Sequence, residues 1–338
     1  MFKLKSNGLR GNLFNLIESF LTNRSQRVVL NGQNSKWKLV KAGVPQGSIL
    51  GPLFFLIYIN DLQVGLKSEV KMFADDTSLF SIVNDSQSSS VTLNKDLTLI
   101  SKWAYQWKMN FNPDLNKQAQ EVVFSRKTNK SNHPVIYFNN VPVSQSTSQK
   151  HLGIILDEKL SFGPHVQEKI KKANKGISII RKLSNYLPRS SLITIYKSFI
   201  RPHLDYGDVI YDIPNNNSFR EKIERIQYNA CLAITGAFKG TSREKLYNEH
   251  GLEYLNLRSW FRRLCLFFKI FKDQSPSYLY NIIPPQRNMY SLRNMDNIPL
   301  MGCRTETFSN SFFPYVISEW NKLDPDIRSL DSFLKFRM

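Results

Sequence analysis

Acidic residues are in short supply: 27 Asp and Glu stand against 46 Lys and Arg, which leaves a formal net charge of +19. An excess of that size opposes self-association and selects polyanions as partners, nucleic acid first and an acidic membrane surface second. Long apolar runs are missing too. The longest candidate, residues 53–59, falls far short of the roughly 18 residues that a membrane span requires, so it reads as a buried helical segment. The opening Met1-Phe2-Lys3-Leu4-Lys5 lacks the apolar core of a signal peptide. Only three cysteines occur, Cys231, Cys265 and Cys303, and their wide separation gives neither a disulfide framework nor metal-type spacing. His133, His165, His203 and His250 are equally isolated, with no partner at metal or triad spacing. These absences together predict an intracellular protein, nuclear or cytoplasmic, neither secreted nor membrane-inserted.

What is present is core-forming material: 41% of the residues are hydrophobic and 12% aromatic, enough for two or three packed layers. Charge is unevenly spread. Residues 1–50 carry eight Lys and Arg against one acid, residues 51–100 three against six, and residues 166–200 eight against one. A net-acidic island between basic stretches suits carboxylates that hold cations flanked by surfaces that hold phosphates; solvated faces give the same pattern.

Along the chain, residues 12–21 predict a short helix. The β-rich 27–30, an Asn31-Gly32 turn and a returning strand at 37–40 predict a hairpin. The loop Gly43-Val44-Pro45-Gln46-Gly47-Ser48 leads into the apolar run, with Ser48 placed to cap that helix and Pro52 in its first turns. Residues 71–80 read as strand, two-acid turn, strand. Residues 84–90 read as a polar loop, and Leu93, Leu97, Ile100, Ala104 and Trp107 then fall at helical spacing. Further β-like pieces stand at 121–124, 135–138 and 151–156. From about 165 the pattern turns helical: Val166, Ile170, Ala173, Ile177, Ile180 and Leu183 form one stripe, with lysines and arginines on the remaining surface. Residues 218–221 and 241–244 fit capping boxes, and Leu257, Trp260, Phe261, Leu264, Phe268 and Phe271 supply another helical stripe. No chemistry can be assigned beyond about residue 284.

Asp75 and Asp76 concentrate the chemical interest. In a tight turn between strands both carboxylates can reach one edge, where they repel each other unless a cation lies between them; the pair is therefore a solvated turn or a metal site. Apolar flanks, Met72-Phe73-Ala74 and Leu79-Phe80, set the turn at the mouth of a sheet. Hard oxygen donors suit magnesium.

Phe73-Ala74-Asp75-Asp76 resembles the F/Y-x-D-D signature of reverse transcriptases. Gly43 to Phe54, with Tyr58-Ile59-Asn60-Asp61-Leu62 after it, resembles the motif that precedes that signature in jockey-like non-LTR retrotransposon enzymes. The resemblance implies an α+β fold: a partial polymerase palm, an antiparallel sheet with helices, over 1–125; a palm-end or primer-grip hairpin region over 126–165; a helical thumb over 166–255; and a helical C-terminal extension over 256–338. It implies nucleotidyl transfer with Mg2+, an RNA template, a DNA primer or target, and deoxynucleotides.

By the same resemblance Asp75 is a direct metal ligand and Asp76 its less critical neighbour. Gln46, Gly47 and Ser48 lie beside nucleotide and template, Lys117 near the triphosphate, and Leu152 and Gly153 at the primer grip. Lys169, Lys172 and Lys175 face the duplex backbone. Solvated surface remains the plain alternative for Lys117, a buried strand for 151–156 and a lysine-coated core helix for 166–183. Tyr206-Gly207-Asp208-Val209-Ile210-Tyr211 resembles the extension that follows the polymerase, without a role. The family also needs a third aspartate on an earlier strand, expected ahead of Met1, with the aromatic residue that excludes ribonucleotides; the one acid before Gly43 is Glu18. The expectation is a chain inactive by itself. Its rivals are a catalytically dead nucleic-acid-binding relic and a peripheral membrane protein using the 166–183 helix.

Overall fold

The computed structural model describes residues 1–112, 119–127, 133–214, 216–285 and 297–337. The chain divides into two compact units, Met1–Ser146 and Thr147–Met338. No helix of the described residues is long and apolar enough to cross a membrane.

In the first unit, α1 (Phe2–Ser6) and α2 (Gly11–Leu21) precede four two-residue strands, β1 (Ser25–Gln26), β2 (Val29–Leu30), β3 (Gln33–Asn34) and β4 (Lys38–Leu39). Asn31 and Gly32 both take positive φ, +48° and +78°, as a two-residue hairpin turn requires, so β2 pairs with β3 at once. The strand expected at 37–40 instead pairs, as β4, with β1 farther from the turn. α3 (Leu50–Ile59) buries Phe54 against Leu4, Phe14 and Ile17. Next come the hairpin β5 (Glu69–Phe73) and β6 (Asp76–Phe80) and the long α4 (Ser86–Trp107). The polar stretch expected as a loop at 84–90 is mostly the start of α4. Asp85 accepts the Ser88 N–H at 2.8 Å, satisfying an orphan donor and extending the helix by two turns.

β7 (Gln120–Glu121), β8 (Tyr137–Phe138), β9 (Val141–Pro142) and β10 (Ser144–Gln145) complete the unit. Ile59, Leu62, Ile100 and Phe138 form its second small core. The fold is mixed helix and sheet, as expected. Its described strands pair only two by two; β7 with β10 is parallel and the other pairs are antiparallel.

The second unit opens with the hairpin β11 (Ser148–His151) and β12 (Ile154–Asp157), so the β-like run at 151–156 is a turn and a returning strand. It continues with α5 (Gly163–Leu183), α6 (Arg189–Ile195), a π-helical turn Tyr196–Ile200, α7 (Arg201–Asp205), α8 (Asp208–Tyr211), α9 (Asn217–Thr235), α10 (Arg243–His250) and α11 (Leu255–Asp273). The stripe read along α5 is the one that packs: Val166, Ala173, Ile177 and Ile180 sit in the main core with Tyr196, Ile200, Ala230 and Cys231. Gly176 permits that closeness, because a Cβ there would lie 2.5 Å from Ile200 Cγ1. α9 is capped by Asn216, whose side chain accepts the Phe219 N–H at 3.1 Å, two residues before the predicted Ser218. α10 does begin after Ser242, without the side-chain bond of a capping box.

A second core gathers Leu264, Phe267, Phe268 and Ile270 of α11 around Trp320. Trp320 belongs to α14 (Phe312–Lys322), which follows α12 (Ser277–Tyr280) and α13 (Glu306–Ser309) and precedes α15 (Pro325–Ser329) and α16 (Phe333–Arg337). The buried stripe of α11 is turned from the expected one: Leu257 is exposed, whereas Phe267 and Ile270 are buried.

Candidate functional site

Hairpin β5–β6 pairs Phe73 with Asp76, leaving Ala74 and Asp75 as a two-residue turn in which Ala74 takes φ +51°. Side chains alternate across such a ribbon. Val70, Met72, Thr77 and Leu79 lie half-buried on one side, with Met72 and Leu79 packed on the second small core. Phe73, Asp76 and Phe80 are exposed on the other side, Phe73 at 65%, and Asp75 is exposed at the tip. The two carboxylates therefore stand open at one end of an apolar ribbon. Among the described residues no group of three or more His, Cys, Asp or Glu is arranged to hold a metal.

Ahead of this ribbon the 43–48 loop leads into α3. Gly43 and Gly47 take positive φ, +83° and +82°, a backbone that only glycine adopts freely, and a Cβ on either would meet open space. Arg24 donates to the Gly43 carbonyl and ties the loop down. Ser48 Oγ accepts the Gly51 N–H at 3.0 Å and donates to the Pro45 carbonyl at 2.7 Å, so it caps the helix as predicted. Gln46 and Gly47 are exposed. The acid of Asn60-Asp61-Leu62 is occupied internally: Asp61 Oδ1 accepts Trp103 Nε1–H at 2.9 Å and lies 2.5 Å from Lys3 Nζ. That ammonium sits 3.9–4.8 Å from the ring centroids of Tyr58, Trp103 and Trp107. Burial, and then the Asp61 charge, hold the Tyr58 hydroxyl above its ordinary pKa.

In the second unit Leu152 and Gly153 form the turn of β11–β12. On α5, Lys175 is exposed and lines, with Gln167, Ile170, Lys171, Asn174 and Ser178, a shallow groove of about 470 Å³. Lys172 is exposed and paired with Glu168 at 2.5 Å. Lys169 differs. At 7% exposure it lies inside, because its position is three residues after Val166 and four before Ala173, on the buried stripe. Its Nζ donates to the Tyr206 carbonyl at 2.5 Å and stands 5.1 Å from both the Tyr206 and Tyr211 rings. Burial pushes its pKa down to about 8 against the pull of Asp208. Lys117 lies outside the described residues.

Sequence reasoning gave the segment around Tyr206 no role, and passed over Asp205 and Asp212 beside it. Asp205, Asp208 and Asp212 recur at helical spacing and meet arginines from α9 and α11. Arg262 bonds Asp205 at 2.9 Å and Asp208 at 3.0 Å, Arg258 bonds Asp205 at 3.1 Å, and Arg220 grips Asp212 through two bonds of 2.9 and 3.0 Å. Burial raises the Asp208 carboxyl despite Arg262. For Asp205 the Arg262 and Arg258 contacts outweigh burial and lower it. The readable signal was the three-and-four spacing of the acids with the Arg258, Arg262, Arg263 row.

Residues 1–156 match the family model described as reverse transcriptase (RNA-dependent DNA polymerase). Those residues, somewhat under half of the chain, carry the likeness to that family, and the curated relatives are named as RNA-directed DNA polymerases of transposons and mobile elements. A Drosophila melanogaster protein named "Probable RNA-directed DNA polymerase from transposon X-element" is 31% identical over 235 residues, 66% of this chain and 25% of its own length. The RNA-directed DNA polymerase from mobile element jockey of the same species is 28% identical over 236 residues, 67% of this chain and 25% of its own. That from Drosophila funebris is 29% identical over 248 residues, 70% and 26%. The chain thus spans about a quarter of the length of the curated relatives it matches.

Proposed function

We propose that this chain supplies the paired-aspartate turn of an RNA-directed DNA polymerase that copies an RNA template onto a DNA primer from deoxynucleotides. The observation that carries the reading is the placement of Asp75 and Asp76 at the open end of a hairpin inside the family-matched residues 1–156. The family uses divalent metal ions, and two adjacent carboxylates fit magnesium in donor chemistry, since that ion takes one or two carboxylates together with waters and substrate phosphates. The chemistry a magnesium pair supplies when bound is activation of the primer hydroxyl and stabilisation of the departing pyrophosphate. Asp75 is the ligand and Asp76 its neighbour, which also spreads negative charge across the tip.

In this reading Gln46, Gly47 and Ser48 face nucleotide and template, where the bare Gly47 backbone leaves room for a base pair. Leu152 and Gly153 meet the primer end. Lys172 and Lys175, with Lys171, hold duplex phosphates without reading sequence; Lys169 lies too deep for that part. The helical thumb is residues 166–255 and the extension residues 256–338. In a primer-extension assay with magnesium, this chain alone is expected to add no nucleotide. In a polymerase containing this segment, Asp75→Ala abolishes primer extension and leaves nucleic-acid binding nearly intact. Extension retained by that variant removes the assignment.

A second reading, a binding relic without synthesis, is favoured by the net charge of +19, which serves binding whether or not the turn is active. It expects salt-dependent retention on RNA–DNA duplex and no effect of Asp75→Ala in any longer parent.

A further inference from the structure

The β11–β12 turn has a backbone that its own sequence does not favour. His151 pairs with Ile154, so Leu152 and Gly153 alone make the turn, and both take positive φ, +45° and +84°. Gly153 does so freely. A bulky L-residue such as Leu152 rarely does, because its Cβ crowds the backbone carbonyl. Such a conformation persists only where its surroundings over-determine it.

Those surroundings form a relay of contacts. The Tyr206 hydroxyl donates to the Leu152 carbonyl at 2.7 Å. The ring of Tyr206 lies over Gly153 so closely that a Cβ there would stand 3.0 Å from its Cε1. The next residue, Gly207, lets Ile154 approach, since a Cβ on it would lie 2.8 Å from Ile154 Cδ1. Behind Tyr206, its carbonyl accepts Lys169 Nζ at 2.5 Å, and the ammonium rests against the Tyr206 and Tyr211 rings. The helix α5, the 206–207 bend and the turn are thereby linked in series.

Two choices in this relay make poor sense for stability alone. A lysine occupies a stripe position where an apolar side chain would pack without desolvating a charge. The tyrosine whose hydroxyl ends the relay is 55% exposed, so its bond is formed in competition with water. Both choices make sense if the object fixed is the turn.

We propose that Tyr206 and Lys169 are positioning residues: they hold the Leu152–Gly153 turn in one backbone conformation, so that the turn, exposed at Gly153, meets the sugar–phosphate of a primer terminus. The proposal rests on the reading of that turn as the primer contact.

The test uses the full chain with a recessed DNA primer on an RNA template, a photoreactive 4-thiothymidine at the primer 3′ end, and mapping of crosslinked peptides. Affinity for a blunt RNA–DNA duplex and thermal melting are measured in parallel. The native chain crosslinks at residues 151–154. Tyr206→Phe, which removes one hydroxyl and keeps the ring, lowers that crosslink about fivefold, the factor carried by one ordinary hydrogen bond. Lys169→Met lowers it similarly, and both variants keep blunt-duplex affinity and melting temperature. Leu152→Asn added to Tyr206→Phe restores the crosslink, because asparagine tolerates positive φ before glycine. A role in stability alone would give no such rescue. Should the native chain bind duplex without crosslinking at the turn, the primer-contact reading fails. Should it crosslink there and both variants match it, the positioning proposal is overturned and the primer-contact reading stands.

Discussion

One turn of α5 separates His165 from Lys169, and burial makes both of them pH-sensitive in ways their neighbours are not. His165 Nδ1 accepts the Ile155 N–H at 3.2 Å and its ring meets Tyr211 edge-on, while burial, then the Lys169 charge, push its pKa down to about 4. The unfolded chain therefore binds this proton first as pH falls. The stability contribution of neutral His165 is complete above about pH 6.5 and is lost as pH falls toward 4, a change of up to about 3 kcal/mol. Urea unfolding at pH 7 and pH 4.5 measures it, and His165→Gln, which keeps an acceptor and does not titrate, flattens the difference.

Lys169 is depressed in the same direction from a higher start, to about 8. Its folded form prefers to be neutral, so stability rises with pH between about 8 and the ordinary lysine value near 10.4. Lys169→Met removes that rise and leaves the melting temperature at pH 7 undiminished; a marked loss on calorimetry would show that the ammonium contributes more than its desolvation costs.

Among the elements, α5 shows where packing hangs on one absent side chain. Gly176→Ala drives a Cβ into Ile200 at the π-helical turn, and overpacking of this kind costs about 1–3 kcal/mol. Ile200→Ala in the same chain recovers part of that loss, and a double-mutant cycle by denaturant unfolding measures the coupling. This helix was also the most legible from sequence, because a long 3.6-residue period survives without tertiary information. Legibility failed where local and tertiary demands part. The period that identified the stripe of α5 also contains Lys169, yet a lysine reads as surface until a carbonyl acceptor is known to wait inside. The 84–90 serines read as loop by composition, and a single capping acid, Asp85, turned them into helix. At the candidate site, the Ser48 cap and the Asp75-Asp76 turn were readable from local chemistry. The capture of Asp61 by Lys3 and Trp103 was not, because its partners stand 58 and 42 residues away.

For the whole molecule, net charge governs association with nucleic acid. On the proposed reading, a chain at +19 should bind RNA–DNA duplex with an affinity that falls steeply as salt rises. Lys175→Ala, at an exposed position in the α5 groove, reduces the slope of log affinity against log salt by about 0.9, and lowers affinity uniformly across sequences. An unchanged slope in filter-binding titrations from 50 to 200 mM salt would take α5 out of the interface.

The ribbon that carries Asp75 and Asp76 has a further effect, on solubility. Among the described residues β5 and β6 form a two-stranded sheet, and Phe73, Phe80 and Ile82 stand exposed on or beside it, as do Ile49, Leu53 and Leu56 at α3. Bare apolar side chains gathered on a surface invite contact with another chain. Mutual repulsion keeps such chains apart in dilute buffer, but added salt screens it within about 10 Å at 0.1 M. Light scattering should therefore detect clumping that grows with ionic strength, the reverse of ordinary salting-in, and Phe73→Lys with Phe80→Lys should keep the solution clear.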